Sequence, residues 1–257
     1  MRTPLLVCGS LLVAAALAAD THIRVGCHSD GYYNYGNVVP PADSEVEYWI
    51  GGGRLAYITP RLRLVLDGPS GTFLVVDRND SSCVELPLPL DASKSVSPDV
   101  QSYFMQDRAG GTVVETVELR IDGRPCQGYE VRFWIEEQDS RYEDRIETIW
   151  TTQDVPFDLE TYHLFTRVLH GLYRDVTHWD AALVDQLNSV RGFPVLREGK
   201  YFMKGVPRNA TRRLVEMTDE DPPPRVYSVP MEIEREALLT LKHVNPFPYH
   251  GEWGILE

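Results

Sequence analysis

Seven histidines and 38 acidic residues raise metal and acid–base chemistry at once. His163, Arg167 and His170 recur at steps of four and three, the spacing of one helical face, and Asp175 and His178 follow in the next turn. Seven residues along a helix span about 10 Å, whereas a single ion draws its ligands to about 2 Å. His163 and His170 therefore do not share one metal, and the group reads as a polar stripe opposite the Phe165 and Leu169 face. His28-Ser29-Asp30 brings three catalytic residue types together, but neighbours in an extended chain point different ways, and a working nucleophile, base and acid come from separate segments. Gly68-Pro69-Ser70-Gly71 is a turn and not a strand-to-helix elbow that would expose a serine. The phosphate loop, the dinucleotide fingerprint, the paired-cysteine spacer and the zinc-protease helix are all missing. Asp219-Glu220-Asp221 reads as a solvated acidic turn, since hard cations take about six or more oxygens from a folded loop. The sequence thus assigns no catalytic residue, no metal and no cofactor.

Charge and composition narrow the partners. Lys and Arg number 25 against 38 Asp and Glu, a net charge of −13, and no block of basic residues occurs. A protein that binds nucleic acid by neutralising phosphates shows the opposite balance, so nucleic acid is excluded as a partner. With 43% hydrophobic residues the chain has the material for a sizeable core. Arg2, the uncharged apolar run Leu5 to Leu17, and the small residues of Ala16-Leu17-Ala18 have the form of a signal peptide over residues 1–19. The run is shorter than the roughly 20 residues that span a bilayer, so no transmembrane anchor is expected. One domain over 20–257 follows, because no linker, repeat or shift of composition divides the remainder.

Cysteine usage belongs with that compartment. Cys8 leaves with the leader, and Cys27, Cys83 and Cys126 remain. An odd count under oxidising conditions predicts one disulfide and one spare thiol. Cys83 and Cys126 both end expected strands and are the expected pair, with three unpaired thiols as the alternative. Neither Cys8, inside the apolar run, nor Cys27, after Ile23-Arg24-Val25-Gly26, suits a lipid anchor.

The elements that must position any site follow from periodicity. Strands are expected from Glu45 onward: Glu45 to Ile50, Leu62 to Leu66, Thr72 to Asp77, Cys83 to Leu88, Thr112 to Ile121, Gly128 to Glu136 and Tyr142 to Thr151. Gly128 to Glu136 sets Tyr129, Val131, Phe133 and Ile135 on a dry face. Tyr142 to Thr151 is expected to carry Ile146 and Trp150 on the same side as Tyr142, leaving Glu130, Glu136, Glu143 and Glu147 on the wet face. The period then changes: Leu159, Tyr162, Phe165, Val168, Leu169 and Leu172 mark a helix with Asp158 as N-cap. A second helix is expected from Thr177 to Val190, a short one from Pro98 to Gln106, then strands Phe193 to Phe202 and Thr211 to Thr218. Pro222-Pro223-Pro224 is an extended connector. The predicted fold is α+β: a curved antiparallel sheet of about nine or more strands with helices plugging its concave face.

Several segments carry a resemblance. His28-Ser29-Asp30-Gly31-Tyr32-Tyr33, Glu47-Tyr48-Trp49-Ile50-Gly51, Ile121 to Tyr129, Thr148-Ile149-Trp150-Thr151, Gly192-Phe193-Pro194-Val195, and the stretch from Val215 to Pro230 resemble uncharacterised exported bacterial proteins with a LolA-like (lipoprotein localisation factor-like) fold. The resemblance implies an incomplete β-barrel with helical plugs that binds acyl chains or hydrophobic peptide segments and does not catalyse reactions. No arginine here matches the lid arginine of LolA, so lipoprotein carriage is not carried over. The expectation is a non-enzymatic protein of the periplasm or extracellular space that binds a lipid or other hydrophobic ligand in a half-barrel cavity. Tyr48, Leu64, Val131, Phe133, Ile146 and Trp150 from the sheet, with Phe165 and Leu169 from the helix, are the expected lining. Direct packing of these residues on one another is the alternative, because helix-on-sheet contact requires the same pattern. Two other readings stand beside it: an envelope sensor that captures a partner protein through the aromatic tail around Trp253, and a hydrolase using His28 with Asp30 or His170.

Overall fold

The computed structural model describes residues 19–34, 37–104, 108–137, 140–176, 178–203, 206–229 and 233–244. Residues 1–18, expected to be a leader, and the tail from Phe247 to Glu257, expected to be a partner-capturing surface, lie outside the described residues. In chain order the elements are β1 (Asp20–Ser29), β2 (Tyr32–Asn34), β3 (Asn37–Val39), β4 (Ala42–Gly51), β5 (Arg54–Ile58), β6 (Leu62–Asp67), β7 (Thr72–Asp77) and β8 (Ser82–Pro87). Helices α1 (Ala92–Ser95) and α2 (Pro98–Phe104) follow, then β9 (Arg108–Ile121), β10 (Arg124–Glu137) and β11 (Ser140–Thr152). The remainder is α3 (Leu159–Val176), α4 (Ala181–Ser189), β12 (Phe193–Met203), β13 (Val206–Glu220), β14 (Glu234–Glu236) and α5 (Leu241–Val244).

Twelve strands form one open sheet in the order β14-β8-β7-β6-β5-β4-β1-β13-β12-β11-β10-β9, and β2 pairs with β3 separately. Neighbours are antiparallel except β14, which runs parallel to β8. The sheet is thus built from two meanders, β4 to β8 and β9 to β13, joined through β1, which pairs with β4 on one side and β13 on the other. Strand β1 was not among the strands expected from periodicity. Its alternation is present, with Ile23, Val25 and Cys27 buried between more exposed neighbours, but His22, Arg24 and His28 give it a polar look.

Helices α3 and α4 cover the same face. Phe165 and Leu172 of α3 pack with Ile23, Leu64 and Phe73, while Leu183 and Leu187 of α4 pack with Val131 and Phe133. The opposite face is covered over Trp49, Ala56, Val65 and Leu74 by Val226, Tyr227 and Val229 of the segment that follows the prolines. The Tyr227 hydroxyl ties this cover to the first described strand by donating to Asp20 at 2.5 Å. Helix α3 begins where expected: the Asp158 carboxylate accepts from the Glu160 N–H at 3.1 Å and from the Thr161 hydroxyl at 2.9 Å. Helix α4 is shorter than the expected Thr177 to Val190. His178 has a φ of 53°, which no helix continues through, and Asp180 caps the new start by accepting from the Ala182 N–H at 2.8 Å.

Two further expectations are corrected. Cys27, Cys83 and Cys126 are all free and buried, so there is no Cys83 to Cys126 disulfide. The two lie in different parts of the sheet: Cys83 on β8 pairs with Val76, whereas Cys126 on β10 pairs with Leu119. Burial pushes all three thiols above the ordinary value, which keeps them protonated and inert. The second correction concerns the parity of β11. Phe133 pairs with Arg145 and Trp134 with Glu143, so Asp144 is an extra residue opposite a continuous β10. One bulged residue exchanges the faces of everything beyond it. Arg145, Glu147 and Ile149 therefore lie with Phe133, Val131 and Tyr129, and Ile146 and Trp150 turn to the other side.

Candidate functional site

Between α3, α4 and the sheet lies a cavity of about 160 Å³. Its wall draws on Tyr48 of β4, Tyr57 of β5, Leu64 of β6, Phe133 of β10 and Ile149 of β11. Strands β6 and β10 are seven steps apart in sheet order, which is about 33 Å in a flat sheet at the usual strand spacing. That both reach one small cavity means the sheet curls around the helices, the general plan expected from the sequence. Helix α3 supplies Tyr162, Phe165, Leu169 and Tyr173 together with His163 and His170, and Trp179 and Leu187 close the α4 side.

Aromatic contacts brace the residues of this wall. Tyr48 meets Phe193 edge to face at 5.5 Å between ring centres, Phe193 meets Tyr162 at 4.9 Å, and Tyr173 stacks on Trp179 at 4.4 Å. Gly192 sets the approach of β12 to the cavity: its φ of 87° lies in the left-handed region, and a Cβ there would lie 2.5 Å from the Thr152 carbonyl oxygen.

Of the expected lining, Tyr48, Leu64, Phe133, Phe165 and Leu169 border the cavity. Val131 does not, because it is fully buried beneath Leu183 and Leu187. Ile146 and Trp150 do not either, since the Asp144 bulge turns them away, and Trp150 packs instead with Ile121, Cys126 and Val195. His163 and His170 border the same cavity as Phe165 and Leu169, so they are not a stripe on the opposite face. Arg167 keeps to the surface beside Glu160.

The residues that periodicity missed are charged. Arg145, Arg197 and Arg212 all border the cavity, and Glu147, expected on the wet face, is wholly buried beside it. The Glu147 carboxylate accepts from Arg197 Nε at 2.8 Å and from the Tyr201 hydroxyl at 3.1 Å, and sits 3.6 Å from Arg145. Burial alone would raise the Glu147 carboxyl, but Arg197 and Arg145 reverse that and hold it below its ordinary value of 4.5. The Arg145 guanidinium carbon lies over the Phe133 ring, 3.8 Å from its centre. Burial lowers His170 and keeps it neutral, with its Nδ1 2.7 Å from the Asn188 side-chain oxygen. The Asp144 bulge that turns Ile146 away brings Glu147 inward in the same step, and only the pairing against β10 reveals it.

Two other acid–base groupings occur among the described residues. His28 does meet Asp30, at 3.4 Å, but its other nitrogen is 2.7 Å from Asp43, so both ring nitrogens face carboxylates and neither faces a nucleophile. Hydrogen bonding to Asp43 raises its pKa. Ser82 and His243 are 3.3 Å apart, yet they are 1% and 0% exposed, and the serine hydroxyl is committed to Asp80 at 2.5 Å. That pair anchors α5 to β8. Among the described residues no group of three or more His, Cys, Asp or Glu is placed to hold a metal ion. No helix among them is long and apolar enough to cross a membrane.

No family model and no curated protein matches the chain. Among solved structures it is similar to the lipoprotein LppX of Mycobacterium tuberculosis, with 10% identity, a TM-score of 0.27, and coverage of 79% of this chain and 88% of that one.

Proposed function

We propose that this protein is exported to the periplasm or beyond, as one domain after removal of residues 1–19, and there holds a lipid or other apolar group between α3 and the sheet without catalysing a reaction. The observation that carries the reading is the cavity itself: a space of about 160 Å³ walled by Tyr48, Leu64, Phe133, Phe165 and Leu169, which side chains leave unfilled. A closed apolar space of about 150 Å³ takes up a benzene-sized molecule. A space of this size suits the end of an acyl chain or a small ring. Well-packed cores of ordinary proteins leave few voids larger than a water, which sets this one apart from packing imperfection.

The test is a melting series of the mature chain with straight-chain alcohols from hexanol to decanol. A ligand that binds only the folded state raises its stability by about 2.7 kcal/mol at 100 times its dissociation constant. The expected result is a saturable rise in melting temperature, abolished by Leu169→Trp, which fills the space. Absence of stabilisation by every member of the series would remove the reading.

A further inference from the structure

The cavity wall has a charge opposite to that of the molecule. The chain carries −13 overall, yet the described residues bordering the cavity include Arg145, Arg197 and Arg212 and no Asp or Glu. Two carboxylates lie behind that wall. Glu147 is shared by Arg197, at 2.5 Å, and Arg145, at 3.6 Å, and Asp144 sits partly buried beside Arg145, its carboxyl raised by burial. Arg208 extends the same cluster from β13, buried and 5.3 Å over the Tyr201 ring. Three guanidiniums, those of Arg145, Arg197 and Arg212, thus border the cavity, and the buried Glu147 carboxylate lies beside two of them.

Arg145 also has a donor to spare. Arg145 is 9% exposed, and its Nε has no hydrogen-bond partner. A buried donor left unmade costs about 1–3 kcal/mol, more on a charged group. An unpaired donor on a residue that borders a space lined also by aromatic rings fits a ligand that brings its own acceptor.

We infer that the ligand is an amphiphile with an anionic head, a carboxylate or comparable oxyanion, whose head sits among Arg145, Arg197 and Arg212 while its apolar part occupies the space against Phe165 and Leu169. Guanidinium forks bind such oxyanions through short, charge-assisted hydrogen bonds, and an apolar surround strengthens them. The inference rests on the apolar-ligand reading for the tail and adds the head.

Octanoate, octanol and acetate, titrated separately into the mature chain at neutral pH, distinguish the two. Octanoate is expected to bind at least about tenfold more tightly than octanol, and that preference is expected to disappear in Arg145→Gln and in Arg212→Gln. Should Arg145→Gln fail to fold, because it also loosens Glu147, the Arg212→Gln chain decides alone. Equal affinity for octanoate and octanol overturns the anionic head and leaves the apolar reading in place. Acetate binding as tightly as octanoate keeps the anion site and removes the apolar reading, and binding of none of the three removes both.

Discussion

Glu147 shows how much a single side chain decides here. It is wholly buried, bonded to Arg197 and Tyr201, and close to Arg145. Removing one partner of a buried ion pair leaves the others uncompensated, so Glu147→Gln is expected to cost about 3–5 kcal/mol in urea unfolding at neutral pH. The same carboxylate gives the fold an acid limit. Its folded pKa lies below the ordinary 4.5, so its stabilising contribution is complete above 4.5 and is lost as pH falls below that value towards the folded one. The Gln variant should lack this part of the acid dependence when the two are unfolded side by side from pH 6 downward. Nothing in the alternation of Tyr142 to Thr151 identified Glu147 as buried, because a one-residue bulge has no composition of its own. Asp144 looks like any other acidic strand residue, and only pairing against β10 makes it the extra one. Buried charges escape sequence reading for a related reason: the partners that make burial tolerable, here Arg197 and Tyr201, come from another strand.

At the scale of elements the legible parts were those whose pattern is local. The α3 stripe and its Asp158 cap, the period of β6, β7 and β10, and the connector after Asp221 all follow from neighbouring residues. Strand β1 did not, because a central strand flanked by β4 and β13 is buried by partners about 25 and 194 residues away, as the register pairs Ile23 with Tyr48 and with Met217 attest. The expected disulfide failed on the same ground, since being at strand ends says nothing about which strands are adjacent. Gly192 is the hinge of the element layout. It turns the chain from α4 into β12 with a φ of 87°, and an added methyl would collide with the Thr152 carbonyl. Gly192→Ala is therefore expected to lower stability by about 2 kcal/mol and to weaken octanol binding, since the same residue borders the cavity. Calorimetry of the variant with and without octanol checks both halves.

Across the whole molecule, one sheet face is sealed and the other is kept slightly open. The segment carrying Val226 and Tyr227 closes the outer face over Trp49 and Val65, whereas α3 and α4 leave a space above Tyr48, Leu64 and Phe133. Curvature makes the difference: a sheet that brings β6 and β10 to a common space gathers more side chains, and more charge, around its inner face than a flat sheet would. In the proposed reading, a chain of net charge −13 encloses a cationic inner wall that would receive an anionic head. The most direct measurement of the central claim is photolabelling of the mature chain with a diazirine-bearing octanol, followed by peptide mass mapping. The account predicts saturable labelling confined to α3 and the inner-face peptides around Phe133 and Ile149, displaced by unmodified octanol. Labelling spread over the surface, or centred on the outer cover at Val226 and Val229, would contradict it.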